Sequence, residues 1–377
     1  MDFSYSDEQQ MLQDSVQKFV KGQYDFDTRK KVIHSDKGFS DEYWNLFAEL
    51  GWLTVPFREA DGGFGGSAVD LMVVMEEFGK GMVVEPFLAT AVLSGGLISE
   101  LGSDAQKQDM LGAIMEGKLQ LATAFAEADS RYNLASVAAT ARKDGDGYVI
   151  SGDKVVVFNG PAADKLLVVA RTSGGKFDRE GISVFVVDAS APGVSKRAYT
   201  AVDGHGAAEI HLRDVKVAAG ALLGTEGKAL PALEVVVDRA TLAVSAEAVG
   251  ALTSLLQKTV EYSKTRKQFG VAIGTFQALQ HRMADMFVEC ELARSIVLMA
   301  AMKLDSAASE AEKAKMVAAA KSRVGSAMRK VGQEAVQIHG GIAITDELDV
   351  GHLFKRVTTI EHQFGDTDYQ TMRYAAL

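Results

Sequence analysis

Three long stretches near the C-terminus, 230–266, 275–304 and 310–339, carry apolar residues at helical spacing with almost no interruption. Only Gly270, Gly274, Asp305 and Gly340-Gly341 punctuate them. Helices with two or more apolar stripes must bury more than one face, as in a bundle or at a subunit interface. A chain that commits its last 150 residues or so to such helices needs partners for them, within its own bundle or on another copy.

The rest of the chain changes character twice. Residues 1–118 read as helices. Ser6 with Gln9 makes a capping-box start, and Leu12, Val16, Phe19 and Val20 then fall on one helical face. Ser40 opens a second helix carrying Trp44, Phe47 and Leu50, and Gly51 follows as a C-terminal cap. The segments 71–78 and 105–115 repeat the pattern. Over 119–227, short Val/Ile/Ala/Thr runs alternate with Gly/Asp turns, at 138–142, 148–151, 166–171, 182–187 and 209–212. Many short strands of this kind predict a small antiparallel sandwich or barrel. From 228 to 377 helices return. The expected fold class is α+β: a helical N-terminal domain, a central β domain and a C-terminal four-helix bundle.

At 377 residues two or three domains are expected, and a 47 % apolar content supplies their cores. The formal net charge is −10 and the sequence shows no basic stripe to release counterions from phosphates, so nucleic acid is not an expected partner. The opening Met-Asp-Phe-Ser-Tyr-Ser-Asp-Glu has neither the basic nor the apolar region of a signal peptide, and no apolar run approaches the roughly 20 residues that span a bilayer. The lone Cys290 sits among apolar residues at helical spacing, so it reads as a buried structural thiol. A cytoplasmic protein is expected, without membrane attachment.

Several chemistries lack their signatures. The seven histidines do not pair at i, i+4 with an acidic neighbour as a zinc helix requires, and no Gly-x-Ser-x-Gly elbow is present. The glycine-rich run Asp61-Gly-Gly-Phe-Gly-Gly66 lacks the Gly-Lys-Ser/Thr ending of a phosphate loop and reads as a flexible surface loop.

Two motifs remain. One is Arg266-Lys-Gln-Phe-Gly270, continuing to Phe276-Gln277, His281 and Ala284-Asp285-Met286; the other is Ala335-Val-Gln-Ile-His-Gly-Gly341. Each joins a polar reader to a helix break. Arg266 offers a permanent planar cation suited to phosphate, and Gly340-Gly341 lets a ligand approach backbone. Taken singly, the same residues also read as helix caps and a dipole partner. Together, and in this domain order, they resemble the acyl-CoA dehydrogenase family over the whole chain. The opening "MDFSYSDEQQMLQDSV", the stretch "EYSKTRKQFG" and the ending "FGDTDYQ" look like its small-subunit branch, of the pimeloyl-CoA and steroid side-chain type.

The resemblance implies FAD as cofactor, an acyl-CoA substrate, an electron-transfer flavoprotein as electron acceptor, and an oligomer, homomeric or with a paralogous subunit. It implies that Arg266, Gln268, Phe269, Gln277, Gln337 and Gly341 hold the pyrophosphate and adenosine of a neighbour's FAD. Against the family's flavin-ring pattern L-T-E-P…G-S-D, this chain reads Phe125-Ala-Glu-Ala-Asp-Ser-Arg-Tyr-Asn133; against W-x-T-N-G, it reads Val156-Val-Phe-Asn-Gly160. The family's catalytic Glu maps onto Phe364, and the position used by a minority branch maps onto Ala240, followed by Thr241. Asp366 is the nearest carboxylate to the vacated position and the candidate for a relocated base. A positioned base contributes about 10²- to 10⁴-fold in rate. Three readings stay open: a subunit lacking the usual base in a heteromeric dehydrogenase, an active enzyme using Asp366, and a non-catalytic acyl-CoA-binding or scaffold protein.

Overall fold

The computed structural model describes residues 4–377; residues 1–3, part of the acidic N-terminus read above, lie outside the described residues. Helices come first: α1 (Asp7–Gln23), α2 (Phe26–Ile33), α3 (Asp41–Glu49), α4 (Ala68–Gly81), α5 (Gly95–Leu101) and α6 (Asp104–Met115). Strands follow: β1 (Leu121–Ala124), β2 (Thr140–Asp144), β3 (Gly147–Phe158), β4 (Lys165–Arg171), β5 (Ile182–Asp188), β6 (Val194–Thr200), β7 (Gly206–Ala218) and β8 (Leu222–Leu223). The chain ends with α7 (Leu230–Thr265), the small hairpin β9 (Lys267–Gln268) and β10 (Val271–Ala272), then α8 (Gln277–Leu304), α9 (Glu310–His339), α10 (Asp349–His362) and α11 (Thr367–Ala376). The helical, β, helical order is the expected one. Among the described residues no helix is long and apolar enough to cross a membrane.

Contacts divide the chain into two compact units, one made of Met1–Lys31, Ala68–Val83 and Thr241–Leu377, the other of Val32–Ser67 and Val84–Ala240. In the first unit α9 packs against α8, α10 and α11. Its buried stripe runs Val317, Lys321, Val324, Met328, Val331, Ala335, at alternating steps of four and three. α4 and α7 meet backbone to backbone. A Cβ on Gly79 would stand 1.9 Å from the Glu247 carbonyl oxygen, and one on Gly250 would stand 1.9 Å from that of Glu76. Only glycine permits this approach. Beside it the buried Arg356 of α10 forks onto Glu247 of α7, with Nε–Oε1 at 2.5 Å and Nη2–Oε2 at 2.6 Å. Asp305, just past α8, accepts the Ala68 and Val69 amides at the start of α4, at 2.7 and 3.1 Å. Cys290 is buried as expected, and burial pushes its thiol up to about 12.

The second unit holds one eight-stranded sheet in the order β6-β7-β3-β2-β4-β5-β8, with β1 paired to β4. Most neighbours are antiparallel, but β1 runs parallel to β4. All four residues of β1 are buried, as a strand covered on both faces should be. Its composition, Leu-Ala-Thr-Ala, carries no alternation, which is why periodicity alone misses it. β6 is the exposed, charged edge strand and escaped notice for the opposite reason. The glycine-rich loop at 61–66 is tied down by backbone hydrogen bonds. Phe64 N–H donates to the Thr54 carbonyl and Gly65 N–H to that of Phe57, so the loop lies against the backbone of the buried Phe57, where a Cβ on Gly63 would stand 2.2 Å from the Phe57 carbonyl oxygen. Asp61 meanwhile accepts from Ser99 and Arg58.

Candidate functional site

The Arg266 motif forms where α7 ends. Lys267–Gln268 pairs with Val271–Ala272 around a two-residue turn, Phe269-Gly270, in which both residues have positive φ (54° and 84°). That is the backbone twist a two-residue hairpin wants, but phenylalanine in this conformation is strained. Phe269 is 92 % exposed and touches Phe276 edge to face, with centroids 6.1 Å apart. Gln277 opens α8 and is also exposed.

The second motif comes to the same place. Tyr262, on the last turns of α7, stacks on His339 at the end of α9, with ring centroids 4.4 Å apart, and its hydroxyl donates to the His339 carbonyl at 3.3 Å. Burial holds the His339 imidazole below its ordinary pKa. Gly340 caps α9, and an added Cβ at Gly340 or Gly341 would meet nothing within 4 Å. Gln337 is exposed on the same last turn.

The six candidate residues therefore present an uncommitted guanidinium, three exposed carboxamides, an exposed aromatic ring and open glycine backbone. The Arg266 guanidinium makes no hydrogen bond or ion pair among the described residues, and Gln268 Nε2 is bonded only to the Lys267 carbonyl, at 2.8 Å. This donor set fits the anionic pyrophosphate and the flat adenine of a dinucleotide. Among the described residues no group of three or more His, Cys, Asp or Glu is placed to hold a metal ion.

The turn between α10 and α11 carries position 364. Phe364 has φ 56° and is half-buried, and its carbonyl accepts from Gln370 Nε2 at 2.7 Å. Gly365 has φ 112°, and a Cβ there would press into the Tyr369 ring at 2.5 Å, so only glycine fits. Beneath the turn lies Lys321 of α9, fully buried. Its ammonium donates to the Glu361 carbonyl at 2.9 Å and the Gly365 carbonyl at 2.8 Å. Desolvation lowers its pKa to about 8, with the carboxylates of Glu361 and Asp366 pulling the other way. Glu361 in turn accepts from Arg329 at 2.8 Å and from Thr367 Oγ1 at 3.1 Å. Asp366 is the N-cap of α11, its carboxylate accepting the Tyr369 amide at 2.9 Å. Sequence reading missed Lys321, although a lone lysine on the apolar stripe of α9 is a legible signal.

Ala240 lies on α7 in the second unit and is completely buried. Arg239 beside it donates to the Gly66 carbonyl. In the same unit the segment around Ala126 is stapled to β3. Val155 N–H donates to the Ala126 carbonyl at 2.9 Å. The buried Lys154 ammonium meets Glu127 Oε1 at 2.7 Å, and the Glu127 carboxylate also accepts the Ala138 and Ala139 amides. Desolvation lowers the Lys154 pKa despite that partner.

Comparison with known proteins gives one family. Residues 6–118 match the acyl-CoA dehydrogenase N-terminal domain, 122–215 its middle domain and 232–376 its C-terminal domain. The probable acyl-CoA dehydrogenase YngJ of Bacillus subtilis is 30 % identical over 377 residues, covering 99 % of this chain and 98 % of its own. The structure of butyryl-CoA dehydrogenase from Megasphaera elsdenii superposes with a TM-score of 0.91 at 28 % identity, covering 100 % and 99 % of the two chains. A chain of the ChsE4-ChsE5 complex from Mycobacterium tuberculosis superposes with a TM-score of 0.89 at 26 % identity, covering 100 % and 98 %.

Proposed function

The chain belongs to the acyl-CoA dehydrogenase family of FAD-dependent oxidoreductases, and from that premise we propose that it is the subunit without the usual catalytic base in a heteromeric acyl-CoA dehydrogenase. Such an enzyme removes a proton α to the thioester of an acyl-CoA, and FAD, when bound, supplies the acceptor for the hydride leaving the β carbon. In this reading a paralogous subunit holds the base. This chain contributes Arg266, Gln268, Phe269, Gln277, Gln337 and Gly341 to the grip on FAD, and an electron-transfer flavoprotein takes the electrons. The proposed division is 1–118, 119–227 and 228–377. The buried single thiol suits the reducing cytoplasm in which we place the enzyme.

The observation that carries the reading is the α10–α11 turn. It is held in full detail by Lys321, Gln370 and Gly365, yet the residue it presents is Phe364, which accepts no proton. Ala240 cannot act either. The cradle residues, by contrast, stay exposed and uncommitted. Similarity to one chain of the two-chain ChsE4-ChsE5 complex agrees with a heteromer.

Asp366 as a relocated base is the rival, favoured by its place two residues from Phe364. Its carboxylate is engaged at the α11 N-cap. Asp366→Asn decides between them, because asparagine caps a helix about as well as aspartate and so removes only the charge. Turnover of the assembly within a factor of about two supports the subunit reading, whereas a loss of about 10²-fold or more makes Asp366 the base.

A further inference from the structure

The fully buried Arg29 of α2 reaches across to α10 and meets His352 there. Arg29 Nε donates to the Met82 carbonyl, just past α4, at 2.9 Å, and Nη1 lies 3.4 Å from His352 Nδ1. A guanidinium only donates, so Nδ1 accepts. On the other side of the ring, Nε2 lies 3.4 Å from the Asp346 carbonyl. A carbonyl only accepts, so Nε2 carries the hydrogen. The two contacts together select one tautomer of the neutral imidazole. A second proton can enter only at Nδ1, where it would point at the Arg29 N–H.

The ring is also packed. Phe26 of α2 meets it edge to face, with centroids 4.9 Å apart. The charged groups around it are mostly cations. α2 supplies Arg29, and also Lys30, whose ammonium lies over the Phe26 ring at 5.4 Å. α10 supplies Lys355, which is bonded to Asp346 Oδ1 at 3.0 Å. The Asp346 carboxylate itself is exposed and stands 3.8 Å from His352 Nε2. Asp349, on the first turn of α10, is paired with Lys258 of α7 at 2.6 Å. Burial, then Arg29, holds the imidazole below its ordinary pKa of 6.5, against the pull of Asp346.

Asp346 belongs to the turn that follows α9 and carries Gly340 and Gly341. α10 presses on that turn: a Cβ on Gly351 would stand 2.4 Å from the Ala343 carbonyl oxygen. His352 therefore joins three things, α2, α10 and this turn. We propose that His352 is a proton-operated latch, which when neutral ties α2 and the 340–346 turn to α10 and when protonated releases both. The latch needs no bound flavin, although Gly341 of the proposed cradle rides on the same turn. Its sign follows from linkage. The folded ring takes up a proton at lower pH than the unfolded ring, so the closed state loses stability as pH falls below 6.5, and the loss is complete once the folded ring is itself protonated.

Hydrogen exchange read by mass spectrometry tests this on the purified full chain, at pH 7.5 and pH 5, with labelling times matched for the intrinsic exchange rate. Protection of α2 and of the 340–346 turn should fall together by about 2- to 10-fold at pH 5, the worth of one hydrogen bond. His352→Gln can accept from Arg29 and takes up no proton in this range, so it should abolish the difference. If the variant keeps the parent's pH dependence, the latch is wrong. Should the variant fail to fold, the parent decides alone. Joint loss of protection in α2 and the turn below pH 6.5 supports the latch. A turn that loosens while α2 stays protected assigns the effect to His339, which does not touch Arg29 or Phe26, and overturns it. Protection that is the same at both pH values overturns it equally.

Discussion

Lys321→Met probes the turn that carries position 364, and its effect should depend on pH in a calculable way. The substitution leaves the Glu361 and Gly365 carbonyls without the ammonium they accept from, at about 1–3 kcal/mol each. Against this stands the cost of burying a charge. Desolvation brings Lys321 from 10.5 down to about 8, and at about 1.4 kcal/mol per pKa unit that is roughly 3 kcal/mol opposing folding at pH 7. Near neutrality the two effects largely offset each other. Between pH 8 and 10.5 the unfolded lysine keeps a proton that the folded one has released. The parent therefore gains stability over the Met variant as pH rises, by about 1.4 kcal/mol per pH unit. The penalty is fully present below pH 8 and gone above 10.5. A neutral amine still has two N–H groups for the two carbonyls, so the turn itself persists. Urea unfolding at pH 7 and 9.5 measures this. Circular dichroism is the right signal, because Lys321 lies in the helical unit and both tryptophans, Trp44 and Trp52, lie in the other. The margin of parent over variant should widen by about 2 kcal/mol. Equal margins at the two pH values would show that Lys321 is not desolvated and that this reading of the turn is wrong.

Other expectations follow from single contacts. Arg266→Ala should weaken FAD retention by about 1.5–3 kcal/mol, one charge-assisted bond to phosphate, read by flavin absorbance after gel filtration. Arg356→Met should cost about 3–5 kcal/mol in urea unfolding, because it strands the buried Glu247 carboxylate; a cost under 1 kcal/mol would mean that Glu247 finds another partner or a proton. Val288, Leu292 and Met299 leave an apolar stripe exposed on α8, so the lone chain should scatter light as an oligomer, and Leu292→Asp should reduce its mass.

Much of this molecule was legible before its structure. Helix periods and caps placed Ser6, Ser40 and the three long helices, because each signal is local. The Arg266 and Gln337 motifs pointed to one place, and the stacking of Tyr262 on His339 joins them. What escaped depends on partners distant in sequence. β1 reads as an apolar run of any kind until β4 lies beside it. The sequence put Phe364 near the C-terminus, but not that Lys321, some forty residues earlier, holds the α10–α11 turn that carries it.

The most direct measurement of the central claim is dehydrogenation by the chain alone and together with a paralogue that carries a glutamate at the position of Phe364. Acyl-CoA-dependent reduction of an electron-transfer flavoprotein serves as the assay in both cases. The lone chain should show no turnover above background, and activity should appear when the two chains are expressed together. It should then vanish when the paralogue's glutamate is replaced by glutamine. Robust turnover by the lone chain with FAD bound, abolished by Asp366→Asn, would contradict the account and make this chain a complete enzyme with a relocated base.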